Sequence, residues 1–438
     1  MNRIPAPTNR DLAEWLAWQS SLHASEMELG LERVGRVAER LGCLPPSRQT
    51  VVVGGTNGKG SCARLLESLL GDHARVGTYT SPHLWHYNER VRIDGAPASD
   101  ADLCLAFAAV DAARRDVALT YFEFGTLAAL WLFQRYGVDY TVLEVGLGGR
   151  LDAVNIVDAD VALITNIGLD HMDWLGPDRH HIGHEKAGIM RAGRPVVCAD
   201  RDMPDSVSDH AERLGARLLK IGESFDLARC DNGRWRWMDA HARDVVLAPQ
   251  TGVLADNLAA VLAVYSCLFD RLPEADAVER ACSAQRLLPG RREYVDGPYV
   301  VIYDVGHNLE AVAVLVDELI DRPVEGETAV VLGMLADKPA NAVAARLGRI
   351  ADRFYLAGLD GLSPRGLSAS ALAERTALVG ECFDTPMAAL AAARAQASPG
   401  DRIVVCGSFL TVAHACPERA MAPPPVAEQV PVVHTETS

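Results

Sequence analysis

Gly54-Gly-Thr-Asn-Gly-Lys-Gly-Ser61 combines the residue types that phosphate binding demands: glycines that let backbone N–H groups approach an anion, a lysine, and a hydroxyl. The β-branched run Thr50 to Val53 before it reads as a strand, and a helical pattern follows from about Lys59. A loop so placed aims its amides and a helix N-terminus at phosphate, with Lys59 reaching the terminal groups and Ser61 free for magnesium. Gly60 separates Lys59 from Ser61, so the strict Walker spacing is not met, and a tight glycine-rich turn has the same residues.

Glu144 stands at the end of an apolar strand, where an unpaired carboxylate is costly. Magnesium, a hard cation that takes oxygen ligands, would compensate it, and so would Arg150. His171 follows the strand Val161–Thr165 in a Gly/Asp turn, a position open to a ligand or to a structural histidine. Lys186 lies in the stretch DRHHIGHEK, which also suits a solvated helix face. Asp304-Val-Gly-His-Asn308 ends a later strand, where Asp304 could accept from a ribose hydroxyl and His307 could touch phosphate or magnesium. Arg291 could neutralise a phosphate. Asp, Gly and Asn are equally ordinary turn residues. Cys406-Gly-Ser-Phe409 has the same strand–turn–helix form. There is no Gly-x-Ser-x-Gly elbow and no His-Glu-x-x-His helix, so covalent hydrolase and zinc-protease readings lack support.

The elements that must position these residues read as α/β. A helix is expected over Arg10–Leu41, ended by Gly42. Strands at Thr50–Val53, Val76–Thr80, Tyr140–Val145 and Val161–Thr165 alternate with helices at about 59–70, 100–115 and 123–136. Such alternation implies parallel sheets with ligands at the carboxyl ends of their strands. Residues 81–98 read as one long loop, 200–245 carry little signal, and 255–285 are helix-rich. Strands then recur at Tyr299–Asp304, Ala329–Leu332, Arg353–Leu356 and Ile403–Cys406. The expected division is 1–287, 292–417 and a Pro-rich disordered tail at 418–438, with Leu287–Arg291 as the linker. The 438 residues carry 42 Lys and Arg against 58 Asp and Glu, a net charge of −16 that would repel nucleic acid and anionic membranes. No apolar stretch reaches the length of a membrane span, no signal peptide stands at the N-terminus, and ten scattered cysteines without a CxxC pair suit a reducing cytoplasm.

Ten motifs in order resemble the Mur ligase superfamily and, within it, the folylpolyglutamate synthase/dihydrofolate synthase family. They are GGTNGKGS, SPHLWHYNERVRIDG, LTYFEFGTLAALWLF, LEVGLGGRLDAVNIV, LDHMDWLGP, GHEKAGI, LPGR, DVGHN, GMLADK and CGSF, spanning residues 54–409. The resemblance implies an N-terminal P-loop-type Mur ligase central domain and a smaller C-terminal Rossmann-like α/β domain. It further implies a monomeric cytoplasmic ligase that uses ATP and Mg2+ to join L-glutamate to dihydropteroate and reduced folates through an acyl phosphate. By the same resemblance Gly55, Thr56, Asn57, Gly58, Lys59, Gly60 and Ser61 contact the ATP phosphates, and Asn257, Arg291 and Asp304 contact the rest of the nucleotide. Ser81, Glu144 and His171 fall on metal ligands, and Lys186 on a lysine carried as a carbamate beside the metal. Thr120, Tyr121, Phe122 and Glu123, with Leu151, Asp152 and Ala153, fall on the pterin site. Lys59, Lys186 and His171 are the expected catalytic residues, and Lys59, Arg150 and Arg291 the expected cations of the cleft. Two departures stand out: Gly306 where the family often has Ala, and His184 where Arg is common. A monofunctional synthase, a cell-wall Mur-type ligase and a non-catalytic nucleotide-binding regulator are the alternatives. The start of the phosphate loop at residue 54 leaves little room for the separate N-terminal domain of a cell-wall ligase.

Overall fold

Consecutive apolar residues in a strand point to opposite faces, so strands such as Thr50–Val53 need cover on both. A computed structural model describes residues 10–22, 28–248, 252–285 and 288–421 and shows that cover. The first sheet contains β1 (Gln49–Gly54), β2 (Val76–Tyr79), β3 (Val91–Ile93), β4 (Ala96–Pro97), β5 (Tyr140–Glu144), β6 (Val161–Ile164), β7 (Pro195–Cys198) and β8 (Arg217–Lys220). Its order is β4-β3-β2-β5-β1-β6-β7-β8, parallel from β2 to β8, with β1 in the middle. Val52, Leu143 and Ile164 face one core with helices Leu12–Ser21, Glu32–Leu41, Asp100–Arg114 and Tyr121–Tyr136. Val51, Val53 and Val142 face another, with helices Lys59–Gly71, Ala255–Phe269 and Ala275–Gln285.

The expected long loop at 81–98 is instead a 3₁₀ turn at Tyr87–Arg90 followed by the antiparallel pair β3 and β4. Asp94 and Gly95, at φ 50° and 82°, make the turn between them. The single helix expected over 10–41 is two helices, and residues 23–27 between them lie outside the described residues. In the weak 200–245 region a helix, Asp205–Leu214, and β8 precede a three-stranded antiparallel sheet: β9 (Phe225–Arg229), β10 (Trp235–Asp239) and β11 (Asp244–Leu247). Trp237 anchors it, fully buried and donating its indole N–H to the Ala259 carbonyl at 2.9 Å.

The third sheet contains β12 (Glu293–Val295), β13 (Val300–Tyr303), β14 (Thr328–Leu332), β15 (Arg353–Ala357), β16 (Glu381–Phe383) and β17 (Arg402–Cys406). Its order is β12-β13-β17-β14-β15-β16, parallel except for β12, with apolar cores on both faces. β12 and β16 are too short to show in a periodicity. Leu287 of the expected linker lies outside the described residues, and Leu288–Arg291 is a turn leading into β12. Pro417–Met421, mostly inside the expected disordered tail, form a further 3₁₀ turn. Arg419 there pairs with Glu293 and lies 4.8 Å from the Trp85 ring. Residues 422–438 lie outside the described residues. No described helix is long and apolar enough to cross a membrane.

Candidate active site

The carboxyl ends of β1, β2, β5 and β6 converge, and the third sheet turns the loops after β13 and β17 toward them. Between them lies a cleft of about 510 Å³, lined by Gly55 to Ser61, Ser81, Glu144, His171, Lys186, Asn257, Arg291 and Asp304. Residues expected to bind nucleotide and metal, dispersed over some 250 positions, are thus brought to one place.

The phosphate loop is held open by its backbone. Gly55 and Gly58 have φ of 137° and 84°, and a Cβ on Gly58 would come within 2.5 Å of the Asn257 amide. The loop is pinned from β6: Thr56 N–H donates to the Asn166 carbonyl at 2.8 Å, and Asn57 N–H to the Asn166 side chain at 2.7 Å. Lys59 donates to the Gly55 and Thr56 carbonyls, each at 3.1 Å, which folds it back over the loop. Burial lowers its pKa, and the Glu144 carboxylate opposes that effect.

Glu144 is 3 % exposed and accepts the Ser81 N–H at 3.0 Å. Burial raises its pKa, against the pull of Lys59. It does not pair with Arg150: that guanidinium binds Glu185 at 2.8 Å, is 44 % exposed and does not line the cleft. Arg150 is therefore not one of the cleft cations. A buried carboxylate bonded to Ser81, in a cleft that His171 also lines, is a donor set that fits a divalent cation. His171, in the left-handed region at φ 53°, has its pKa lowered to about 4, first by burial, so its imidazole is neutral and able to ligate.

Lys186 is buried and donates to the Gly55 carbonyl at 2.9 Å. Its pKa is lowered to about 7, first by burial and then by the Lys59 charge. His184 packs edge-on against His210 at 5.8 Å, while Lys186 reaches the loop. Across the cleft Arg291 lies over the Phe409 ring at 5.0 Å. Asp304 accepts the Arg292 N–H at 3.0 Å and the Gly306 N–H at 2.7 Å, so both its oxygens hold backbone. A Cβ on Gly306 would come within 2.6 Å of Asp304, so glycine suits this carboxylate position.

The expected pterin residues do not line this cleft. Thr120 and Glu123 form a reciprocal cap on helix Tyr121–Tyr136, and Arg33 pairs with Glu123 at 3.0 Å. Asp152, 3 % exposed, accepts Leu147 N–H at 2.8 Å and Val154 N–H at 3.0 Å, and burial raises its pKa to about 7. Leu151 accepts the Gly30 N–H at 3.2 Å, and Ala153 is buried behind it. Tyr121 lies beside Arg90, 5.6 Å from ring to guanidinium. Phe122 rests on Gly146, where a Cβ would come within 2.6 Å of its ring. Gly146 and Leu147 do line the cleft, so their loop is a shared wall between the two regions.

One network centres on Asp170 and Lys338, to which the sequence reading gave no role. Asp170 takes Lys338 at 2.6 Å, His307 at 3.4 Å and Asn308 at 3.2 Å, and Asn308 also bonds Asn57 of the phosphate loop at 3.0 Å. Burial would raise the Asp170 pKa, but His307, His171 and Lys338 hold it below the usual carboxylate range. These contacts tie the third sheet's loops to the first. Asp170 and Lys338 stand in the motifs LDHMDWLGP and GMLADK, which was the available signal.

A glycine-rich phosphate loop facing a second, parallel α/β unit across a polar cleft defines the class as a Mur-type ligase. The Mur ligase middle domain matches residues 53–229, and the Mur ligase glutamate ligase domain matches residues 290–409. The chain is 44 % identical over 408 residues to the dihydrofolate synthase/folylpolyglutamate synthase of Escherichia coli, covering 92 % of this chain and 94 % of that one. The structure of E. coli FolC with DHPP and ADP superposes with a TM-score of 0.89 at 42 % identity, covering 94 % of this chain and 98 % of that one. The Yersinia pestis bifunctional enzyme with AMPPNP and Mn gives 0.87 at 44 %, over 94 % and 98 %. The chain belongs to the dihydrofolate synthase/folylpolyglutamate synthase family.

Proposed function

We propose that this chain, an ATP-dependent ligase, joins L-glutamate to dihydropteroate, giving dihydrofolate, and to reduced folates, extending their glutamate chains. The observation that carries the reading is the meeting of the phosphate loop, buried Glu144 and Lys186, and the Arg291–Asp304 edge around one cleft. In this reading an oxygen of the acceptor carboxylate attacks the γ-phosphorus, ADP leaves, and an acyl phosphate forms. The glutamate amine then attacks the acyl carbon, loses a proton, and phosphate leaves with that oxygen. The Gly55–Ser61 amides and Lys59 hold the phosphates, and Arg291 offsets charge on the transferring group. Ser81, Glu144 and His171 would hold magnesium, which when bound neutralises phosphate charge. Asn257 and Asp304 position the rest of the nucleotide. Thr120, Tyr121, Phe122, Glu123, Leu151, Asp152 and Ala153 receive the pterin on the far side of the Gly146–Leu147 wall.

The units 1–287 and 292–417 act as two domains that close over the nucleotide about Leu287–Arg291, excluding water from the acyl phosphate. The enzyme works as a monomer in the cytoplasm, a compartment that suits ten free cysteines. Lys186 is carried as a carbamate: a pKa of about 7 leaves part of its amine neutral and able to add carbon dioxide, with loss of one proton. Carbon-13 bicarbonate should give a carbamate resonance that Lys186→Arg abolishes. A spectrum unchanged by that substitution would reject the assignment.

ADP production across a panel of acceptors tests the function itself. Dihydropteroate and tetrahydrofolate should each support glutamate-dependent ADP release, and a muramyl nucleotide none. Release with dihydropteroate alone would make the enzyme monofunctional, and release with only the muramyl acceptor would overturn the reading.

A further inference from the structure

We propose that the N-terminal end of helix Arg179–Ala187 is a binding site for a zinc-type dication, ligated by Asp178, His180 and His181. One donor atom from each residue lies within 4.8 Å of the other two, and all three side chains are exposed. Donors about 2.0–2.2 Å from a common ion stand roughly 3–4 Å from one another, so small side-chain rotations close this set around one ion. Two imidazoles and one carboxylate favour Zn2+, Co2+, Ni2+ or Cu2+ over magnesium, which prefers oxygen alone.

The donors sit on a defined frame. Asp178 caps the helix, taking the His181 N–H at 2.9 Å, and the same carboxylate oxygen meets His181 Nδ1 at 2.8 Å. One carboxylate–imidazole pair is therefore already held together, and the His180 ring stands 6.0 Å from that of His181 at 75°. Asp178 and His181 side chains are 55 % and 58 % exposed, so water can complete the coordination. None of the three lines the interdomain cleft, and the proposed ligation chemistry uses none of them.

The location links the ion to the site. Gly176, at φ 105°, lies so near His181 that an added Cβ would come within 2.5 Å of its Cβ. A bound ion would thus brace the point where the short segment from His171 turns into the helix that carries Lys186 in its last turn.

Calorimetric titration of the full chain with Zn2+, in excess Mg2+ and AMPPNP to occupy the cleft, tests the proposal. Wild type should bind one ion with saturation, and His180→Ala/His181→Ala should weaken that event by at least about tenfold. Cu2+ added in place of Zn2+ should show paramagnetic resonance couplings to two imidazole nitrogens that the double variant loses. Both substitutions keep Asp178 and its cap on the helix, so folding is not at stake. No saturable binding in wild type, or binding in the double variant within twofold of wild type, would overturn the site.

Discussion

The phosphate loop shares the cleft with Gly146 and Leu147, whereas Phe122 and Asp152 meet those two residues from segments that do not line it, and the two regions use polar groups differently. In the loop, glycines set the backbone and Lys59 folds over it onto the Gly55 and Thr56 carbonyls while lining the cleft, with Arg291 on the same cleft from the second unit. In the second region Thr120, Glu123 and Asp152 are bonded to the backbone of their own helix and turn and hold both in shape. A substitution in the first should therefore strike chemistry with little cost to folding. One in the second should strike folding and shape, and chemistry only through them.

The strongest break of that contrast is Lys59→Ala. Removing one charged contact to a transferring phosphoryl group should lower turnover on the order of 10²–10³-fold, with a thermal midpoint close to wild type. Near-normal turnover would take the loop out of the chemistry. Asp152→Ala should instead cost about 1–3 kcal/mol of stability in urea unfolding, because Leu147 and Val154 N–H groups lose their acceptor. It should also raise KM for dihydropteroate more than for a reduced folate. Unchanged stability would show that Asp152 is not the structural group described. The smallest effect belongs to Arg150→Ala. Its pairing with Glu185 is nearly half exposed, so the loss should stay under about 1 kcal/mol, with turnover within about twofold of wild type. A large fall in turnover would return Arg150 to the cleft.

The same contrast explains what could be read before folding. Gly54 to Ser61 declares itself because strand, glycines, lysine and helix adjoin in sequence, and the repeated strand–helix alternation after Arg291 announces the second α/β unit. The Asp94–Gly95 turn stayed hidden in the expected loop at 81–98, because β3 and β4 on either side are only three and two residues long, below the reach of an alternation pattern. Arg150 was expected among the cleft cations, or as the partner of Glu144. Its partner Glu185 stands 35 positions away, and only the fold turns it outward. Lys338 stands in the sequence only inside GMLADK, with no role read for it. The third sheet buries it against Asp170, 168 positions earlier. Pairings across such distances leave no periodic trace, so the motif resemblance carried information that local pattern could not.

The central claim is that one cleft activates both kinds of acceptor carboxylate as an acyl phosphate. The most direct measurement follows oxygen-18 from the carboxylate of labelled dihydropteroate, and separately of a labelled reduced folate, into released phosphate by mass spectrometry. The account predicts one labelled oxygen in each phosphate formed, from both acceptors and only with glutamate turnover. Unlabelled phosphate released in step with amide formation would contradict it.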